Sequence, residues 1–138
     1  MKIALSQINT KIADFKNNLS VLKEELCKTQ NEVLTVFPEL SLSGSPLEDL
    51  TLYEDVFSQA MKYAEELSCK KKDFVFGFPI KENSKAYNAL AFVKNGELQA
   101  LSTKKNLGRF DKGFCSGNGF ERVEYNQNSI AFGFLEDL

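Results

Sequence analysis

The segment Phe37-Pro38-Glu39-Leu40 sets one carboxylate at the end of the apolar run Glu32-Val33-Leu34-Thr35-Val36-Phe37, just ahead of the turn-rich stretch Ser41 to Leu50. The run reads as a buried strand. A Glu leaving the C-terminal edge of such a strand is partly desolvated, which is how a carboxylate becomes a general base near neutral pH. The competing reading is a carboxylate that caps the following turn. Lys104 ends a second predicted strand, where a lone lysine is ordinarily a solvated strand end.

Several chemistries are excluded by composition. The chain has no histidine, so it holds no Ser-His-Asp triad, no Cys-His pair and no His-ligated metal. Cys27, Cys69 and Cys115 are odd in number, widely spaced and form no CxxC pair, which argues against a disulfide framework or zinc knuckle. The Gly-rich stretch Gly113 to Gly119 lacks the Gly-Lys-Ser/Thr ending of a phosphate-binding loop. This reading includes no cofactor and no metal. The net charge of -2 argues against a general nucleic-acid binder. The tight basic run Lys70-Lys71-Lys72 reads as a solvated helix end.

The length of 138 residues suits one domain, residues 1–138. A hydrophobic content of 43% with a mean hydropathy of -0.27 describes a globular chain. No stretch is long enough for a membrane-spanning helix, and Met1 to Leu5 runs into polar Ser6-Gln7 too early for a signal peptide. The expected compartment is therefore the cytoplasm, with no membrane partner.

Periodicity supplies the elements that must hold Glu39 and Lys104. Lys2 to Ile8 reads as a strand. Phe15, Leu19, Leu22 and Leu26 form one stripe of a helix from Phe15 to about Thr29, with Asp14 as its cap. Val56, Phe57, Ala60, Met61, Ala64 and Leu67 mark a second helix. Asp73 to Ile80 is a strand; Ala86 to Lys94 and Glu97 to Thr103 flank the hairpin dipeptide Asn95-Gly96. Lys105 to Phe120 is loop, Glu121 to Tyr125 a short strand, Gln127 to Ser129 a turn, and Ile130 to Leu135 a last strand. This order predicts an α/β (α+β) fold, a sheet with helices on one face. Its strands are apolar on both faces, so a second layer is needed on the other side.

With these residues in place, the chain resembles the nitrilase (carbon–nitrogen hydrolase) superfamily. More narrowly, it is similar to the glutamine-amidase domain of glutamine-dependent NAD synthetase. The resemblance is carried by Lys2-Ile3-Ala4-Leu5-Ser6-Gln7-Ile8-Asn9, by Phe37-Pro38-Glu39-Leu40 with Gly44, Pro46 and Glu48-Asp49-Leu50, and by Tyr87-Asn88-Ala89 with Asn95-Gly96-Glu97. Lys104 three residues before Leu107, Phe110-Asp111 and Glu136-Asp137-Leu138 complete it. It covers about the first half of the family domain. The fold it implies is an α-β-β-α sandwich, here about its N-terminal half, so the domain is expected to be truncated.

The resemblance also implies a reaction. A Glu takes the proton of a Cys thiol, the thiolate attacks an amide or nitrile carbon, and a Lys stabilises the oxyanion. Ammonia leaves and water hydrolyses the thioester. Glu39 matches the general base and Lys104 the oxyanion stabiliser, with Lys105 as the fallback if the register slips. Leu135 stands where the family keeps its Cys nucleophile. Phe110-Asp111 aligns with a family Asp-Glu pair whose second carboxylate is replaced by Lys112, so a negative charge is expected to have become positive. Cys115 is the remaining candidate thiol, since a loop thiol near Lys104 could be activated. The expectation is a hydrolase family member for a small amide substrate that has lost its nucleophile. The alternatives are a non-catalytic binding or structural subunit, as a homo-oligomer or beside a partner subunit, and an inactive fragment. Glu39 and Lys104, with no thiol to serve, are expected to pair with each other.

Overall fold

The computed structural model describes residues 1–138. Its main sheet has five strands in the order β1-β2-β3-β4-β5: β1 (Lys2–Leu5), β2 (Val33–Val36), β3 (Phe74–Glu82), β4 (Lys85–Lys94) and β5 (Glu97–Thr103). β1, β2 and β3 run parallel, and β3, β4 and β5 are antiparallel neighbours. The parallel connections are made by helices α1 (Phe15–Lys28) and α2 (Glu54–Ser68), as parallel strands require. A hairpin of β6 (Glu121–Tyr125) and β7 (Asn128–Phe132) forms a separate two-stranded sheet.

Both helices bury one stripe against the same face of the sheet. Phe15, Leu19, Leu22 and Leu26 of α1 and Val56, Phe57, Ala60, Ala64 and Leu67 of α2 enter one core with Phe74, Phe76 and Phe78. The three Phe residues alternate along β3 and line up in a row, Phe74 tilted against Phe76 at a ring-centroid distance of 5.7 Å and Phe76 stacked on Phe78 at 5.2 Å. The residues between them point the other way. Val75, Leu34, Leu90 and Phe92 form a second core with Tyr125 and Phe134, sealed by the β6–β7 hairpin. Tyr125 meets Phe92 edge-on and donates its hydroxyl to Asp73 Oδ2 at 2.8 Å. Burial, and then that hydrogen bond, push its phenol up to about 12.

All three hairpin turns are two-residue loops with positive φ at both positions: Asn83-Ser84, Asn95-Gly96 and Asn126-Gln127. Such turns match the twist of their strands, and Asn tolerates the left-handed region.

Several boundaries differ from the sequence expectation. The last strand stops at Phe132, and Leu135–Asp137 is a short 3₁₀ turn. The ladder ends at the pair Glu121–Phe132, where its partner strand β6 begins, and Gly133 beyond it lies against the Phe120 ring so closely that a Cβ there would come within 2.4 Å of it. The final turn is Asn126-Gln127 rather than Gln127 to Ser129. Asp14 does not cap α1 with its side chain, which instead accepts from Asn17 Nδ2 at 2.7 Å. Met61 lies outside the buried stripe of α2 and is exposed. Lys70 to Lys72 lie beyond α2, and Lys72 Nζ donates to the Thr29 carbonyl, tying the ends of the two helices together. No helix is long and apolar enough to cross a membrane.

Candidate functional site

Glu39 sits in the turn after β2. Phe37 extends that strand by donating its N–H to Val75 at 2.9 Å, and Ser41 N–H bonds back to the Pro38 carbonyl at 3.2 Å. The turn lies directly on β3 at Gly77. A Cβ there would come within 2.3 Å of Leu40 N and 3.0 Å of Glu39 Cα, so only glycine allows the approach. Gly77 N–H is received by Ser41 Oγ at 3.1 Å, which fixes the turn to the strand.

Lys104 follows β5 and continues its pairing. Its N–H bonds to the Asn88 carbonyl at 2.9 Å, and its carbonyl accepts from Gly117 at 2.8 Å. Strand alternation puts Asn88 and Lys104 on the face turned away from the helices, the face that carries Leu90 and Ser102.

The two predicted residues meet: Lys104 Nζ lies 3.0 Å from Glu39 Oε1. Two further carboxylates reach the same ammonium, Asp111 Oδ2 at 3.0 Å and Glu136 Oε1 at 3.1 Å. The Phe134 ring centroid is 5.6 Å from Nζ. Lys104 is only 2% exposed. That burial is the largest single influence on its ionisation and opposes the charge. The hydrogen bonds to Asp111, Glu39 and Glu136 outweigh it, so its pKa stays above the ordinary lysine range. Asn88, fully buried, donates Nδ2 to Glu39 Oε1 at 2.5 Å and to Asp111 Oδ1 at 3.3 Å, while its Oδ1 has no partner. The side chain thus spans the two carboxylates and holds them on the lysine.

Sequence reasoning did not assign Asn88, Asp111 or Glu136 to this cluster. The expected charge reversal beside Asp111 is corrected here: Asp111 is buried against Lys104, whereas Lys112 points outward and pairs with Asp49 at 3.1 Å. Lys105 is not in the cluster; its N–H bonds to Asp137 Oδ2 at 3.1 Å. Asp137 also receives Asn106 N–H at 2.6 Å, which pins the C-terminal turn beside Lys104.

Leu135 does not fill a pocket. It is exposed on the wall of an apolar groove of about 660 Å³ that Glu39 also lines. None of the three cysteines hydrogen-bonds to Glu39, Lys104, Asp111 or Glu136. Cys115 is held by its N–H to the Ala86 carbonyl at 2.7 Å, and Cys27 and Cys69 are exposed.

The five-stranded mixed sheet with two helices on one face has the fold of carbon–nitrogen hydrolases (nitrilases), here about half of it. The carbon–nitrogen hydrolase from Helicobacter pylori superposes with a TM-score of 0.66 at 16% identity over 91% of this chain and 48% of its own, a likeness of fold alone. The sequence is similar along its whole length to glutamine-dependent NAD(+) synthetases. It is 34% identical over 149 residues to that of Thermotoga maritima and 33% identical over 147 residues to that of Acinetobacter baylyi. The glutamine-dependent NAD+ synthetase from Acinetobacter baumannii superposes with a TM-score of 0.82 at 28% identity over 94% of this chain and 26% of its own. The chain spans about a quarter of the length of these relatives, 26% and 27% of the two curated sequences. No protein-family profile matches the chain.

Proposed function

We propose that this chain is a carbon–nitrogen hydrolase of the glutamine-amidase type that retains the base and the oxyanion lysine but has lost amide hydrolysis. In this reading Glu39 is the group that would take a thiol proton, and Lys104 the cation that would meet an oxyanion on a small primary amide such as glutamine. Asn88 and Asp111 hold the pair in register. The observation that carries the reading is Leu135. Where the resemblance places the attacking sulfur, the chain has a hydrocarbon with no lone pair and no proton to give up. The unpaired cysteines fit a reducing, cytoplasmic setting.

The test is ammonia release from glutamine by the purified chain. The reading predicts none above the rate in buffer. Release that the Glu39→Gln substitution abolishes would overturn it.

A further inference from the structure

The sequence holds two Asn-Gly pairs, Asn95-Gly96 and Asn118-Gly119. In such a pair the glycine nitrogen has no Cβ beside it to block its attack on the asparagine side-chain amide. Both asparagines are exposed, so accessibility does not separate the two sites. Hydrogen bonding does. At Asn118 both reacting groups are held. Its Oδ1 accepts from Thr103 N–H at 2.8 Å and from Thr103 Oγ1 at 2.7 Å, and Gly119 N–H donates to the Thr103 carbonyl at 2.8 Å. At Asn95 both are free. This residue is tied by its backbone N–H, which Asp73 Oδ1 accepts at 2.9 Å, while its carboxamide makes no hydrogen bond. Gly96 N–H, at the hairpin tip inside the pair Lys94–Glu97, finds no acceptor. The nearest atom to a Cβ built on Gly96 is Cys69 O at 3.5 Å, so nothing crowds the turn. The tips Asn83-Ser84 and Asn126-Gln127 share the positive φ values but put a side chain beside the attacking nitrogen.

We propose that Asn95 is a site of spontaneous covalent modification in the folded chain, converting through a succinimide to aspartate and isoaspartate, while the fold protects Asn118. The Gly96 nitrogen loses its proton to water and bonds to Asn95 Cγ. The Cγ–Nδ2 bond breaks, Nδ2 takes up a proton and leaves as ammonia, and a five-membered imide closes. Water then opens the ring. Cleavage between the Gly96 nitrogen and Cγ yields aspartate. Cleavage between that nitrogen and the main-chain carbonyl carbon of Asn95 yields isoaspartate, whose chain runs through Cβ and Cγ. The balance is one water in and one ammonia out, with no change of oxidation state. Isoaspartate adds one atom to the main chain of a two-residue turn whose geometry has no place for it. The N–H of Asn95 is thereby drawn off Asp73, whose other oxygen accepts the Tyr125 hydroxyl, so the modification reaches the second core. The single ammonia per chain needs no glutamine, and the inference is independent of the reading of the Lys104 site.

The experiment incubates the full chain for weeks at neutral pH, folded in buffer and unfolded in guanidinium chloride, beside the Asn95→Gln variant. Peptide mapping by mass spectrometry scores conversion at both sites. An isoaspartyl methyltransferase with labelled S-adenosylmethionine counts the isoaspartate. In the folded chain, conversion at Asn95 should outrun that at Asn118 by about tenfold or more, because the hydrogen bonds on Asn118 and Gly119 must open before they react. Unfolding should bring the two rates within about threefold of each other, since the dipeptide is then the same at both places. Asn95→Gln should remove most methyl acceptance from the folded chain, because the longer side chain closes its ring far more slowly. Equal conversion at the two sites in the folded chain, faster conversion at Asn118, an Asn95 that reacts only after unfolding, or methyl acceptance unchanged by Asn95→Gln would each overturn the proposal.

Discussion

Replacing Lys104 with Met removes the ammonium on which Glu39, Asp111 and Glu136 converge while keeping an unbranched apolar stem. The side chains of Lys104 and Asp111 are 3% and 4% exposed, so the substitution strands a carboxylate in the interior. Breaking a buried pair in this way costs about 3–5 kcal/mol. Glu39 and Glu136 are partly hydrated, and each adds less than about 1 kcal/mol. Against a total stability of about 5–15 kcal/mol the loss is large. For a chain of this size it corresponds to a fall in Tm of roughly 12–20 °C. Urea and thermal unfolding followed by circular dichroism measure it directly. Lys112→Met is the matched control, because the Lys112–Asp49 pair is exposed on both sides and its loss should stay within about 0.5 kcal/mol. A Lys104→Met chain destabilised by less than about 1 kcal/mol would refute the view that this lysine anchors a buried charged cluster.

Two further outcomes follow from the same contacts. Gly77→Ala drives a methyl group into the backbone of Glu39 and Leu40 and should cost about 1–3 kcal/mol in urea unfolding, with a loss under about 0.5 kcal/mol contradicting the close approach. Stability should also fall in strong alkali. The Lys104 contribution is whole below the ordinary lysine value of 10.5 and disappears as pH rises through its raised value. The Tyr125 contribution is whole below 10.0 and lost by about 12, on the order of 2–3 kcal/mol. Urea midpoints between pH 9 and pH 12 should therefore drop more steeply for the unaltered chain than for Tyr125→Phe; parallel curves would contradict this.

Much of the fold was legible because its signals are local. The 3.6-residue stripe of α1 placed four core residues correctly, and Asn95-Gly96 announced its hairpin by composition. Asn83-Ser84 has the same left-handed geometry without a glycine and gave no comparable signal. The run Ile130 to Leu135 reads as one apolar strand, yet it ends at Phe132 because its partner β6 begins at Glu121, a limit set by pairing and not by composition. The site divides in the same way. Glu39 and Lys104 were legible from their motifs. Asp111 and Glu136 were not, because their roles depend on a loop and a terminal turn converging on Lys104 from distant parts of the chain. Lys112 was misplaced because neighbours in a turn point in opposite directions, one into the cluster and the other to solvent.

Intact-mass spectrometry of the unaltered chain, incubated with glutamine and quenched in acid, asks whether any atom of this protein can carry the acyl group. An unchanged mass at every time point is the result predicted for a scaffold whose position 135 is leucine. A glutamyl adduct mapped to any side chain, Cys115 included, would contradict it.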